Sequence, residues 1–133
     1  MDKLSPTERS RVMSAVHGKD TAPELKVRRM LHALGFRYRL HRKDLPGSPD
    51  IVLPKYRTCI FVNGCFWHQH PRCKRAIRPT SNIDFWERKL LGNVERDKRN
   101  YLALKDLGWK VLIIWECKTI NVEALKRDII KLL

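Results

Sequence analysis

The stretch from Cys59 to Cys73, CIFVNGCFWHQHPRC, constrains this 133-residue chain more than any other. It opens as Ile60-Phe61-Val62, the continuous apolar run of a buried strand, and breaks at Asn63-Gly64, a turn pair. Nine residues, Cys65 to Cys73, then hold two cysteines, two histidines, a Phe and a Trp. Soft metal ligands, a proton carrier and large aromatics in so few positions imply a site built at the end of a strand. The rest of the fold has to bring partners to that end.

Helix signals come first. Ser5-Pro6-Thr7-Glu8 combines a Ser cap, a Pro in the first turn and a Glu that can close a capping box. It predicts a short basic helix running to about Val16, which carries Met13. Thr21-Ala22-Pro23-Glu24 repeats the signal, followed by an apolar stripe through Leu25, Val27, Met30, Leu31 and Leu34, with Gly35 as the stop. Phe36 to Leu40 alternates apolar and basic residues as a half-exposed strand does. After the turn Leu45–Pro49, strands are expected at Asp50–Leu53 and Cys59–Val62. A helical region should run from Ile83 to about Leu107, kinked or split at Gly92-Asn93. Lys110–Trp115, apolar over five consecutive positions, has the pattern of a central strand covered on both faces. Asn121 caps a last helix over Val122–Leu133. The order α-α-β-β-β-α-β-α predicts one three-layer α/β domain over residues 1–133, a small mixed sheet flanked by helices.

Charge narrows the partner. Twenty-eight Lys and Arg against fourteen Asp and Glu leave a formal +14, the footprint of a polyanion, most often nucleic acid. No stretch reaches the length of an apolar membrane span, so no membrane partner is expected. The opening MDKLSPTERS has neither an apolar core nor a cleavage pattern, so the cytoplasm is the expected compartment. There, four cysteines point to metal binding or buried thiols rather than disulfides.

Cys65, His70 and Cys73, with Cys117 just beyond the Lys110–Trp115 strand, are the thiolate and imidazole set of a closed tetrahedral zinc site. That requires the strands before Cys65 and Cys117 to be neighbours; otherwise these are ordinary buried thiols. On spacing alone His68 could replace His70, while Cys59 reads as a core thiol. Phe66 and Trp67 either pack at the sheet edge or serve as wedges in a base stack. Asp50 either caps the turn after Pro49 or faces a hard cation beside the backbone oxygens near Val62. Glu24 reads as a capping-box carboxylate, and His68 as a candidate general base.

These residues converge on a family. GCFWH followed by His70 and Cys73, then NVERDKRN, then GWKVLIIWEC, with Asp20-Thr21 and Glu24 upstream and Pro49-Asp50 ahead of a strand, resemble the very-short-patch-repair (Vsr) endonucleases. The resemblance extends from about Arg11 to Cys117. It implies a restriction-endonuclease-like fold with a structural zinc on Cys65, His70, Cys73 and Cys117. It also implies a Mg²⁺-dependent nick in double-stranded DNA, 5′ to the T of a T:G mismatch. By motif, Asp50 would hold catalytic Mg²⁺ with the Val62 backbone carbonyl, His68 would activate the attacking water, and Glu24 would support the hydrated metal. Phe66, Trp67 and His68, on a zinc and wedge segment spanning 63–81, would enter the duplex beside the mismatch. Met13, on the DNA-contacting segment 1–20, would enter opposite, with Lys89 and Asn93 reading nearby. A bacterial, nucleoid-associated monomer is implied, working alone or beside other repair proteins. Asn63 departs from the family pattern, which has a histidine there that contributes to the active site; Asn can hydrogen-bond but cannot carry a proton near neutral pH. Two alternatives remain at this point: a restriction-type or other lesion-specific nuclease of the same fold, and a zinc-stabilised mismatch-binding module that does not cut.

Overall fold

The computed structural model describes residues 20–133; the expected N-terminal helix and Met13 lie outside the described residues. Helix α1, Ala22–Ala33, starts where the Thr21 side chain accepts from the Glu24 N–H, has Pro in its first turn, and buries Val27, Met30 and Leu31. Gly35, at φ +86°, turns the chain out of it, a conformation that costs glycine nothing. Strands β1 (Arg39–Leu40), β2 (Ile51–Leu53), β3 (Thr58–Asn63) and β4 (Lys110–Trp115) form one sheet in the order β1-β2-β3-β4. The first two pairings are antiparallel and β3–β4 is parallel, so the sheet is mixed, as expected.

Alternation along the strands divides the core in two. Ile51, Leu53, Ile60 and Ile114 face α1 and the C-terminal helix α3 (Val122–Leu132), packing with Val27, Leu31, Leu125 and Ile129. Val52, Cys59 and Phe61 face the other way, against Leu104 of the long helix α2 (Ile83–Asp106). Helices on both sides of a sheet make three layers, and Cys59 is a fully buried core thiol, as read from the sequence.

Three local expectations are corrected. The strand expected over Phe36–Leu40 pairs only at Arg39 and Leu40, because Phe36 and Tyr38 pack on the core instead. Lys110–Trp115 is an edge strand among the described residues, not a central one. Its apolar run does serve two faces, Val111 towards one core and Leu112 and Ile114 towards the other, but only Ile114 is fully buried. The interior strands are β2, buried throughout, and β3, buried at every position but Val62. Finally, α2 runs unbroken through Gly92-Asn93. A helical glycine costs about 1 kcal/mol relative to alanine, too little to break a helix anchored by buried Leu90, Asn93 and Leu104.

The turn before β2 is held against α2. A Cβ on Gly47 would lie 3.0 Å from that of Asn100, and φ is +77° there, so only glycine lets the turn approach the helix so closely. No helix among the described residues is long and apolar enough to cross a membrane.

Candidate active site and metal centre

The β2–β3–β4 pairings bring the chemistry to one end of the sheet. Parallel pairing sets Asn63 opposite Trp115, so the loop after β3 and the turn after β4 leave the sheet together. Cys65, His70, Cys73 and Cys117 meet there, with all their ligand atoms within 4.8 Å of one another. His70 Nδ1 is 3.6 Å from Cys65 Sγ and 3.5 Å from Cys117 Sγ. Zinc bonds of about 2.3 Å to sulfur and 2.0 Å to nitrogen, at the tetrahedral angle, separate the two ligands by about 3.5 Å. The donor set fits such an ion. The His70 ring stacks on Trp115 at 4.2 Å, which fixes its orientation. Burial lowers its pKa, keeping the neutral, ligating form. Burial raises the Cys65 thiol, whereas the Arg75 N–H lowers that of Cys73. His68, the alternative ligand, is outside this group.

Beside the metal centre opens a cleft of about 1070 Å³ whose walls include Asp50, Val62, Asn63, Phe66, Trp67 and His68. Asp50 precedes β2, and the antiparallel register sets it beside the end of β3, where the Val62 N–H donates to its Oδ2 at 2.8 Å. Burial pushes the carboxyl up to about 6, outweighing the help of that N–H, and the Glu24 charge adds to the rise. An ionised Asp50 is therefore short of stabilising partners, the condition in which a cation is welcome.

His68 Nδ1 lies 2.6 Å from Asp97 Oδ2 on α2. A carboxylate on Nδ1 holds the ring and selects the tautomer with Nε2 as the basic nitrogen. Asp97 carried no role in the sequence reading. The signal that could have found it is its spacing on α2, one turn beyond Asn93 and two before Leu104, on the face turned to the sheet. His41 was missed for another reason: its φ of +47° and its loop position leave no periodic trace. It lines the cleft, its N–H donates to the Asp50 carbonyl oxygen, and its Nε2 is 3.0 Å from Glu24 Oε2.

Glu24 is 1% exposed. Only half of the expected capping box forms: the Glu24 N–H reaches Thr21 Oγ1 at 3.4 Å, while its carboxylate turns to His41 and to Arg28 Nη1 at 3.1 Å. Asp20, Glu24 and His41 also converge within 4.8 Å. Arg28 already bonds both carboxylates there, so a cationic side chain stands where a metal would.

The remaining sequence-derived residues fall less simply. Asn63 is 3% exposed and donates from Nδ2 to Tyr101 Oη at 2.8 Å. Burial pushes that phenol up to about 12, so it stays neutral. Trp67 is 9% exposed and packs with Phe66 and Trp86, ring centroids 5.1 to 6.1 Å apart. The two rings are packed, and the partner shown is Trp86 of α2. Asn93, expected near the DNA, is 2% exposed, donates to the Trp67 carbonyl oxygen and accepts from Arg96. Lys89 is exposed on α2, outside the residues that line the cleft.

Comparison with known proteins identifies relatives of the chain. The family model described as DNA mismatch endonuclease Vsr matches residues 1–75. The type II nicking enzyme V.XorIIP of Xanthomonas oryzae pv. oryzae is 47% identical over 94% of this chain and 91% of its own length. The DNA mismatch endonuclease Vsr of Escherichia coli is 44% identical over 82% and 69%. Among solved structures, the catalytic domain of homing endonuclease I-Bth0305I superposes with a TM-score of 0.57 at 23% identity, over 84% of this chain and 93% of that one. That likeness extends to the fold, which is restriction-endonuclease-like.

Proposed function

Since this chain belongs to the Vsr family of DNA mismatch endonucleases, a DNA-nicking hydrolase of mismatch repair, we propose that its lesion is the T:G mismatch, nicked 5′ to the T with Mg²⁺ at Asp50. The observation that carries this reading is the pairing, across one cleft, of a cation-seeking carboxylate with an imidazole held by Asp97.

Asp50 offers the hard oxygen donor that Mg²⁺ takes, and the Val62 carbonyl would be a second. Bound there, Mg²⁺ supplies Lewis-acid stabilisation of the charge that builds on the phosphate oxygens. His68 takes the proton of the attacking water from its Nε2 side as the new O–P bond forms, and the leaving strand oxygen is protonated from solvent. Asp97 keeps the ring aimed and stabilises the imidazolium that results. Glu24, engaged by Arg28 and His41, would support the hydrated metal through His41 at the cleft wall. Asn63, a hydrogen-bonding residue only, leaves proton transfer to His68. Zinc on Cys65, His70, Cys73 and Cys117 pins the loop from which Phe66 and Trp67 exchange their contacts with Trp86 for contacts with unstacked bases. A T:G wobble pair deforms more easily than a Watson–Crick pair, so this exchange favours the mismatch. One cleft cuts one strand, so a monomer suffices.

Strand-resolved cleavage of a duplex with a single T:G pair, beside its T:A control, tests the proposal. A Mg²⁺-dependent nick in the T strand of the mismatched duplex alone is expected, and Asp50→Ala should abolish it while leaving binding intact. Cleavage of both duplexes at a fixed sequence would point to a restriction-type nuclease. Tight mismatch binding without any nick would point to a binding module.

A further inference from the structure

Helix α2 reaches the loop after β3 through three side chains spaced four apart, which places them on one face. Tyr101 accepts from Asn63, Asp97 holds His68, and Asn93 donates to the Trp67 carbonyl oxygen at 3.1 Å. Asn93 also has a second hydrogen bond: its Oδ1 accepts from Arg96 Nη2 at 2.7 Å. One buried amide thus ties the main chain of the aromatic loop to a guanidinium.

Arg96 lines the same cleft as Asp50 and His68. Among the described residues it makes no ion pair, and its neighbour in sequence, Asp97, is committed to His68. A guanidinium has five N–H donors, of which Asn93 engages one. The planar fork that remains, oriented from behind and exposed in front, matches the oxygens of a phosphodiester.

We propose that Arg96 holds a backbone phosphate of the nicked strand, and that Asn93 makes this grip depend on how the Trp67 loop is seated. Insertion of the loop at a mismatch and alignment of the phosphate are then one event. On matched DNA the loop stays on Trp86 and the duplex is not drawn in to Arg96, although the guanidinium is already oriented. This rests on the reading of the chain as a mismatch nickase with an inserting loop.

The test is equilibrium binding of the wild-type protein and Arg96→Gln to T:G and T:A duplexes over a range of salt, in chelator so that nothing is cut. Each phosphate contact contributes a slope of about 0.9 to log Kd against log salt. Arg96→Gln should lower the slope by about 1 on the T:G duplex and leave the T:A slope unchanged. An equal fall on both duplexes would overturn the coupling, and no fall on either would overturn the phosphate contact. A second variant, Asn93→Leu, adds no charge and removes both the bond to the Trp67 carbonyl and the bond to Arg96. It should bring the T:G slope down to the T:A value, and a difference equal to wild type would also overturn the coupling. If the wild-type protein itself neither prefers nor nicks T:G DNA, the mismatch reading has failed, and that is visible before any variant is made.

Discussion

Asp50 has a carboxyl with one hydrogen-bond donor among the described residues, the Val62 N–H, and sits half-buried in the cleft wall. Burial outweighs that single bond, so the group titrates near 6 rather than 3.8. Between those values the folded chain retains a proton that the unfolded chain has lost. The contribution of Asp50 to stability therefore falls as pH rises through that window. For activity the sign is opposite, because only the ionised form binds a cation. The acidic limb of the nicking rate should have its midpoint near pH 6 at low Mg²⁺, and should move to lower pH as Mg²⁺ is raised, since metal and proton compete for one group. A limb that stays in place over a hundredfold range of Mg²⁺ would assign it to another residue. At this scale the sequence was informative where a motif is contiguous, as in GCFWH. It was silent where a partner lies far along the chain: Asp97 is 29 residues from His68, and Tyr101 is 38 from Asn63.

Elements were legible by period and punctuation, and their neighbours were not. Thr21-Ala22-Pro23-Glu24 marked the start of α1 correctly, yet the Glu24 carboxylate left the cap for His41, a choice that depends on tertiary packing. The apolar run of β4 identified a strand but not its place in the sheet, because an edge strand with a helix layer on each face shows the same pattern as a central one. The β3–β4 neighbourhood, only a condition in the sequence reading, is met by a parallel pair, and this lets Cys65 and Cys117 meet. The energy of metal binding at a site absent from the unfolded chain is folding energy. Stripping zinc with a chelator should therefore lower the melting temperature by well over 5 °C, since about 1 kcal/mol already shifts a domain of this size by several degrees. It should also alter the emission of Trp67 and Trp86. An unchanged melting curve in metal-free protein would mean that the four ligands are only packed thiols and a buried ring.

For the molecule as a whole, a formal charge of +14 on 133 residues sets how DNA is first met. Binding to any duplex should weaken steeply with salt, by about 10³-fold or more between 50 and 200 mM if six or more phosphates are contacted. A flat dependence would show that the basic surface is only solvated. Charge and layer order were both legible from composition and pattern. The cleft was not, because its walls come from separate segments between Thr21 and Glu116 that only the finished sheet assembles.

The metal centre joins His70 to Cys117 across 47 residues, an interval that contains all of α2 and β4. Closing a loop of that length early would cost entropy before any contact repaid it. In the folded chain Cys117 stands beside His70 because β4 is paired with β3. A loaded centre is therefore a report that the strand end beside the cutting cleft is assembled.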